Sequence, residues 1–420
     1  MDTNPDRSVL LLAPSIGLGG GIERYVSTLE AAFQEHEVPY RRVDLLDGDR
    51  PPGGLAKLRF IREAMRAMRA SRHPVQLVLA HRNLLPIASL LSRRYDLTSV
   101  CVILYGVEVW DRRLGSGRAM RRPHVRAIAI SNFSAGALAG TCRANVLHPG
   151  VSATWYGTLV DAATRAQPED GGIHLVTTFR LQAWRDKGLD TLLDALDLLD
   201  DERVRLTICG TGPVPAELTA KLARRPWCRV ASDLTDRALA DLLAGADLFV
   251  LATRTRYGSD AAGEGFGLVL LEAQLAGTPV IAPAYGGSGD AFQDGLTGLA
   301  PIDESPEALA SVLAVLLGDE RRRTEMGRAA ASWSRAAFDP ATYSGRVVTT
   351  LLGDATTASY LRVPSGGVTL DPSGIPDRTR SVLLPATIEI ARLYRVLRDN
   401  APDVIGDVDG KAMLMKYVEQ

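Results

Sequence analysis

Short runs of apolar residues alternate along this chain with segments in which apolar positions recur every three or four residues. In the first half, the runs SVLLLAP, QLVLAH and TSVCVILYG are separated by IERYVSTLEAAFQ and LLPIASLLSRR. The runs have the length and composition of buried β-strands, and the segments between them have the period of α-helices. Strands that alternate with helices predict a parallel sheet covered by helices on both faces.

A second series of the same kind begins near residue 173 with IHLVTTFR and continues through VRLTICG, DLFVLAT, GLVLLEAQLAG and TPVIAPAYGG. The predicted fold class is therefore α/β, with two tandem doubly wound Rossmann-like domains facing a cleft that holds the ligand. The predicted parts are a first domain at 1–155, a linker at 156–172, a second domain at 173–335, a helix returning to the first domain at 336–352, and an unassigned extension at 353–420.

Composition is that of a globular protein. Of the 420 residues, 46% are apolar and 23% are charged, which suffices for two buried cores. The four cysteines are far apart and show no Cys-x-x-Cys spacing, so we expect reduced thiols rather than disulfides or a zinc site. No apolar stretch reaches the roughly 18 residues that a membrane-spanning helix needs, and the N-terminus resembles a first strand, so we expect a cytoplasmic protein.

Charge is unevenly distributed along the chain. Residues 1–150 hold 21 Lys/Arg and 13 Asp/Glu, against 27 and 36 in the rest. Much of the excess lies in 55–73, LAKLRFIREAMRAMRASRH, where the apolar positions at helical spacing are Leu55, Leu58, Ile61, Met65 and Met68. A basic amphipathic helix can bind an anionic membrane, which would place the protein peripherally at the inner membrane face. The alternative is a helix packed on the sheet with a solvated basic face.

The segment EGFGLVLLE, from Glu264 to Glu272, joins the strand DLFVLAT to a helix. Its glycines allow the backbone amides near Phe266, Gly267 and Leu268 to approach a phosphate closely. If the whole span were helical, the two glutamates would be about 12 Å apart. That separation exceeds the carboxylate spacing of a glycoside hydrolase and suits the two ends of a long ligand. The alternative is a solvated glutamate before the helix and another on its polar face.

Two further loops carry candidate ligand groups. Arg180 and Lys187 bracket the loop after IHLVTTF, where two cations can hold a diphosphate and stabilise the charge it gains on leaving. The alternative is an exposed basic loop that serves solubility. After the first strand, GLGGGIERY has a glycine cluster and then Glu23 in the first helical turn, which suits close approach of a phosphate or sugar, or simply tight packing.

Five motifs occur in the order seen in glycosyltransferase family four, which the chain resembles over roughly residues 9 to 345: GGIERYV, FRLQAWRDKG, CGTGP, EGFGLVLLEAQLAGTPVIAPAYGG and DGLTG. The resemblance implies a GT-B fold and transfer of a sugar, with retention of configuration, from a nucleoside-diphosphate sugar of the UDP or GDP type. It implies no permanently bound cofactor, no metal requirement and no nucleic-acid partner. The acceptor is an unknown hydroxyl on a lipid-linked, polysaccharide or natural-product molecule.

The resemblance also assigns roles by position. The residues carried over are Arg180 and Lys187 for the diphosphate, Glu264 for the sugar, Glu272 for the ribose, Gly20 and Gly21 for the reaction centre, and Gly210 and Gly212 for donor binding. Two departures stand out, because Tyr105 occupies the place of the family's usual histidine before a glycine, and Phe179 replaces the usual glycine before Arg180. Glu23, His81 and Tyr105 are candidate acceptor or sugar contacts.

Two rival functions stay open at this point. One is another enzyme on the same fold, such as a sugar phosphorylase or a nucleotide-sugar epimerase. The other is a non-catalytic protein that binds a nucleotide-sugar and a membrane surface, which the basic helix and Tyr105 make conceivable. Release of free nucleoside diphosphate only in the presence of an acceptor separates a transferase from both.

Overall fold

The computed structural model describes residues 8–16, 21–48, 53–71, 74–95, 97–110, 120, 122, 124–138, 142, 144–165, 172–256 and 261–353. Gly20 and the predicted extension after Gly353 lie outside these residues. The described chain forms two compact units. One contains residues 8–152 and 338–353, and the other contains residues 153–337.

The first unit is built on a parallel sheet whose described strands have the order β2-β1-β3-β4-β5-β6. The strands are β1 Ser8–Ile16, β2 Tyr40–Asp47, β3 Val75–Leu79, β4 Leu97–Leu104, β5 Val125–Ala129 and β6 Ala144–Val146. The helices between them are α1 Gly21–Glu35, α2 Gly54–Ala70, α3 Leu85–Leu91, α4 Val107–Trp110 and α5 Asn132–Ala137. The central strands β1, β3 and β4 are buried over most of their length, as their continuous apolar runs predict.

The second unit has a parallel sheet with the order β12-β11-β10-β7-β8-β9 among the described strands. Its strands are β7 Ile173–Thr178, β8 Val204–Gly210, β9 Cys228–Ser232, β10 Leu248–Val250, β11 Val280–Ile281 and β12 Gly298–Leu299. Its helices are α6 Ala153–Arg165, α7 Leu189–Leu199, α8 Ala216–Leu222, α9 Asp236–Ala244, α10 Leu268–Leu275, α11 Pro306–Leu317 and α12 Glu320–Ala337.

Each described sheet reverses its strand order at one point. The reversal lies between β1 and β3 in the first unit and between β7 and β10 in the second. Doubly wound sheets bind ligands beyond the carboxyl ends of their strands at such a switch point. The loops at these points lead to Gly21 and His81 in the first unit, and to Lys187 and Glu264 in the second.

The predicted linker at 156–172 is wrong over its first ten residues, which continue helix α6. Trp155, Leu159 and Ala162 are spaced by four and three residues and are buried on one face of this helix. That helical period was hidden by the small and polar residues around it, which suggested a linker. Within the second unit α6 packs against α9 and α10.

Helix α2 lies within the basic segment but buries a different face from the one predicted. Its buried residues are Phe60, Ala64, Ala67 and Met68, whereas Leu55 and Leu58 are 85% and 53% exposed. The phenyl ring of Phe60 covers more apolar area than either leucine, and this orientation buries it. None of the helices that the structure describes is both long and apolar enough to cross a membrane.

The return helix α13, Pro340–Leu352, packs against α1 in the first unit. Asp339 caps its start by accepting a hydrogen bond of 3.0 Å from the Thr342 amide. At its other end, the Arg126 guanidinium on β5 donates to the carbonyls of Leu351 and Gly353 at 3.1 and 2.9 Å. A cation at a helix C-terminus satisfies otherwise unpaired carbonyls and interacts favourably with the helix dipole.

Candidate functional site

An ion pair lies at the switch point of the second unit. The Lys187 ammonium donates to Oε2 of Glu264 across 2.8 Å, although the two residues are 77 positions apart in the chain. Lys187 follows β7, and Glu264 lies in the loop after the neighbouring strand β10. Their side chains are 27% and 19% exposed, so both remain accessible to a ligand. The structure therefore brings together two residues that the sequence places in separate motifs.

Glycines hold the two loops in position. Gly188 caps α7 with φ +72°, and a Cβ on it would lie 1.7 Å from the Ala252 carbonyl oxygen. Only glycine allows the Lys187 loop to approach the end of β10 this closely. On the opposite loop, the Gly287 amide donates to the Glu264 carbonyl at 2.9 Å and so fixes the backbone that carries the carboxylate.

The EGFG segment is not helical throughout. Gly267 has φ +89° and caps α10, whose first residue is Leu268, while Phe266 is 2% exposed and anchors the turn. The separation of about 12 Å for a continuous helix therefore does not describe the two glutamates. The predicted amide donors at Phe266, Gly267 and Leu268 lie at the start of α10, where backbone N–H groups lack partners within the helix.

The other basic residues of the Lys187 loop have different surroundings. Arg180 lies two residues after the end of β7, is exposed, and makes no ion pair with any side chain that the structure describes. Arg185 pairs instead with Glu217 and stacks over the Trp184 ring, with its guanidinium carbon 4.2 Å from the ring centroid. Arg180 and Lys187 thus remain the candidates for a diphosphate, whereas Arg185 braces the loop.

Gly210 and Gly212 lie at the end of β8, next to β7 in the sheet. A Cβ on Gly210 would be 1.9 Å from the carbonyl oxygen of Phe179, so this glycine lets the two strand ends pack closely. The Gly212 amide donates to Oδ1 of Asp233 at 3.2 Å. These glycines therefore shape the same edge of the sheet as Lys187 and Glu264.

Glu272 is almost completely buried on α10, with 2% of its surface exposed. Its Oε1 accepts a hydrogen bond of 3.0 Å from the indole N–H of Trp155, 117 positions earlier in the chain. The alternative of a solvated glutamate on a polar helix face is therefore wrong for this residue. The sequence offered no signal for Trp155, because its side chain reaches Glu272 only after α6 has folded against α10.

In the first unit, the predicted contacts lie on neighbouring strand ends. His81 follows β3 and Tyr105 follows β4, and their rings stack with centroids 6.2 Å apart and planes at 17°. Glu23 lies in the first turn of α1 and is half-buried, and Gly21 is the first residue of that helix. The end of β1, which precedes α1, adjoins β3 in the sheet.

Glu108 is a neighbour that sequence reasoning did not single out. One of its carboxylate oxygens accepts a hydrogen bond from the Tyr105 amide, and its carbonyl accepts one from Arg82. Burial lowers the pKa of His81 below its usual value, opposed by Glu108 and assisted by Arg82. We therefore expect a neutral His81 imidazole at pH 7, with Nδ1 accepting from the Asn83 amide at 3.1 Å.

The Tyr105 hydroxyl is buried and has no hydrogen-bond partner among the described residues. Burial raises the pKa of Tyr105 well above its usual value, and the nearby Glu108 adds to the shift. The phenol therefore stays protonated and is able to donate.

A comparison with protein families bears on the second unit. Residues 175–333 match the family model described as glycosyl transferases group 1. The matched segment lies within the second unit. The matched segment includes Arg180, Lys187, Glu264 and Glu272, so the ion pair at the switch point lies inside it. The glycosyltransferase resemblance predicted from the motifs is thereby confirmed for this unit.

Two curated relatives are similar to part of the chain. This chain is 33% identical over 202 residues to a D-inositol 3-phosphate glycosyltransferase of Corynebacterium glutamicum, and the alignment covers 46% of this chain and 48% of the relative. It is 37% identical over 176 residues to a GDP-mannose-dependent alpha-(1-6)-phosphatidylinositol monomannoside mannosyltransferase of Mycobacterium tuberculosis, covering 40% and 45%. The chain spans about half the length of the curated relatives it matches.

Solved structures share the fold over most of the chain. A complex of Anabaena Alr3699/HepE with UDP and glucose aligns with a TM-score of 0.60 and 18% identity, covering 82% of this chain and 99% of that one. A glycosyltransferase from Rickettsia africae aligns with a TM-score of 0.67 and 14% identity, covering 83% and 100%. These likenesses confirm the predicted α/β fold of two tandem Rossmann-like domains of the GT-B type.

Proposed function

We propose that this protein is a retaining glycosyltransferase that moves a sugar from a nucleoside-diphosphate sugar to an acceptor hydroxyl. The observation that carries the proposal is the Lys187–Glu264 pair, which lies at the switch point of a group 1 glycosyltransferase domain. A cation beside a carboxylate suits a ligand whose diphosphate adjoins a sugar. A donor of the UDP or GDP type is supported by a relative named GDP-mannose-dependent and by a fold neighbour with bound UDP.

In the proposed reaction, the bond between the anomeric carbon and the diphosphate breaks while the acceptor oxygen bonds to that carbon on the same face. The acceptor's proton passes to the departing diphosphate, which leaves as nucleoside diphosphate. Lys187 and Arg180 stabilise the charge that develops on the leaving group. Glu264 holds the sugar and Glu272 holds the ribose. Gly210 and Gly212, which have no side chains, allow the donor to approach the end of β8 closely.

We propose that the leaving group needs no metal, because the two cations take over the electrostatic task that a divalent ion performs in other transferases. Activity is expected to be unchanged in EDTA. In the first unit, Glu23, His81 and Tyr105 are proposed acceptor or sugar contacts, and Gly21 starts the helix beside them.

A thermal-shift screen tests the donor half of this proposal. The preferred nucleoside diphosphate or its sugar conjugate should raise the unfolding midpoint, because a ligand at 100 times its Kd stabilises the native state by about 2.7 kcal/mol. No shift with any nucleoside diphosphate or conjugate would contradict the proposal. Once a donor is found, release of nucleoside diphosphate only with an acceptor supports a transferase. Phosphate-dependent sugar release supports a phosphorylase, and sugar isomerisation without an acceptor supports an epimerase.

We also propose that the basic helix α2 binds an anionic membrane, which would bring a lipid-linked acceptor to the first unit. Leu55 and Leu58 are 85% and 53% exposed, and the Arg59 side chain is 80% exposed. The exposed face of the helix also carries Lys57, Arg62, Arg66 and Arg69. Exposed leucines among arginines match the requirements of an interfacial helix, in which apolar side chains enter the headgroup region and cations bind anionic lipid.

Vesicle co-sedimentation tests this surface. Wild-type protein should bind vesicles containing phosphatidylglycerol at low salt and should not bind pure phosphatidylcholine. Reversing the three charges in Arg62→Glu/Arg66→Glu/Arg69→Glu should weaken binding by at least about a hundredfold, since each cation near the surface is worth about 1 kcal/mol. Leu55→Ser/Leu58→Ser should weaken it through lost apolar contact.

Matched controls for the vesicle experiment lie in the second unit. Leu198 is 58% exposed, and Arg322 and Arg328 are exposed on α12. Leu198→Ser and Arg322→Glu/Arg328→Glu should leave binding unchanged. Equal losses in the control and α2 variants, or no binding by the wild type, would contradict a specific role of α2.

A further inference from the structure

Glu272 is an acid in a setting that favours an apolar residue. Every residue from Leu270 to Leu275 is buried on α10, and Glu272 itself is only 2% exposed. Burying an ionised carboxylate is costly unless hydrogen bonds replace its water. A glutamate at a buried position, flanked along the helix by mostly apolar residues, points to a role that an apolar side chain cannot perform.

Trp155 supplies a hydrogen bond to this carboxylate from another helix of the same unit. The indole Nε1 lies 3.0 Å from Oε1 of Glu272, and Trp155 is 8% exposed. An indole N–H is a donor only, so it engages a carboxylate oxygen without competing for the protons of a ligand hydroxyl. A bond to an ionised acceptor is stronger than a neutral one, and it restricts rotation of the carboxylate.

The helix that carries Glu272 is also held at its C-terminal end. The Arg335 guanidinium on α12 donates to the Leu275 carbonyl at 3.0 Å. The Arg335 carbonyl in turn accepts from the Tyr156 hydroxyl at 3.5 Å, and Tyr156 is the neighbour of Trp155 on α6. Helix α10 is therefore braced by α6 and α12, which fixes its position along its axis as well as the orientation of its acid.

We propose that Trp155 is a positioning residue for the donor ribose: its indole N–H orients the Glu272 carboxylate to accept hydrogen bonds from the ribose 2′- and 3′-hydroxyls. This inference rests on the proposed nucleotide-sugar function and on the ribose role of Glu272. It adds a residue outside the five sequence motifs and outside the matched segment 175–333. Preorganising a carboxylate for two hydroxyls raises affinity for ribonucleotides over their deoxy analogues.

Calorimetric titration with two probes separates positioning from packing. The probes are the nucleoside diphosphate that the thermal-shift screen identifies and its 2′,3′-dideoxy analogue. Trp155→Phe keeps an aromatic ring and removes the N–H. It should weaken binding of the ribose form about tenfold, the order of one hydrogen bond to a charged group, and should leave binding of the dideoxy form unchanged.

Two other variants complete the experiment. Glu272→Gln keeps an acceptor for the indole but removes the charge, and it should reduce the same ribose preference without unfolding the protein. Trp110→Phe in the first unit is the matched control, because Trp110 is 1% exposed and its indole N–H bonds to no described residue. It should alter neither affinity.

The outcomes are distinct. Equal weakening of both probes in Trp155→Phe would assign Trp155 a packing role and overturn the proposal, as would wild-type affinity for the ribose form. An unchanged ribose preference in Glu272→Gln overturns it independently, even if Trp155→Phe fails to fold. Wild-type protein that binds both probes equally overturns this inference alone, whereas wild-type protein that binds neither overturns the proposed function.

Discussion

Lys187→Ala should lower the rate of sugar transfer at saturating donor by at least about a hundredfold, or some 2.7 kcal/mol of transition-state stabilisation. The reason is the position of the ammonium at the switch point of the second unit, half-buried and 2.8 Å from Glu264. A cation there stabilises the diphosphate most when the bond to the sugar breaks. The effect should therefore fall mainly on kcat, with a smaller change in KM.

Arg185→Ala is the matched control for this variant. It removes a cation from the same loop, but Arg185 pairs with Glu217 and stacks on Trp184, whereas Lys187 pairs with Glu264. Its kcat should stay within about twofold of wild type, as expected for an exposed ion pair of small net effect. Full activity in Lys187→Ala, or equal losses in both variants, would show that the Lys187 charge does not drive departure of the leaving group.

Glu264→Gln should change two measured quantities in opposite directions. Transfer should fall by roughly tenfold to a hundredfold, because hydrogen bonds from the sugar hydroxyls to a charged acceptor are lost. The affinity for free nucleoside diphosphate should rise by a few fold, since Lys187 is released from its ion pair and a negative charge near the diphosphate disappears. Steady-state kinetics measures the first effect, and titration with nucleoside diphosphate measures the second.

Asp186→Asn controls for the change of charge. Asp186 adjoins Lys187 in the chain but pairs with Arg256 at 2.6 Å on the surface, with side chains 60% and 52% exposed. Removing this carboxylate should leave transfer and nucleotide affinity within about twofold of wild type. If Glu264→Gln bound the nucleoside diphosphate more weakly than wild type, the idea that Glu264 competes for Lys187 in the unliganded protein would be wrong.

Hydrophobic patterning predicted the fold class, because the central strands of a doubly wound sheet are continuous apolar runs. Strands with polar residues escaped notice, among them β2, YRRVDLLD, and β9, CRVAS, which lie at the edges of their described sheets. Edge strands are partly solvated and lose the continuous apolar signal. In helix α6, small and polar residues masked the helical spacing of the buried positions. In α2, the buried face was not predicted because it depends on which side chains pack against the sheet.

The candidate site was predicted as separate motifs and not as an arrangement in space. Lys187 and Glu264 stand 77 residues apart, and their contact follows from the adjacency of β7 and β10, which local patterns do not encode. Glu272 was found by its motif, but its burial and its partner Trp155 depend on packing between helices. The catalytic and binding roles of these residues stay predictions.

Calorimetric titration of wild-type protein and Lys187→Ala with the preferred nucleoside-diphosphate sugar, in EDTA, tests the central claim most directly. We expect saturable binding of one donor per wild-type chain without metal, and weaker binding by Lys187→Ala. Absence of donor binding by the wild type, or donor binding only after a divalent metal is added, would contradict it.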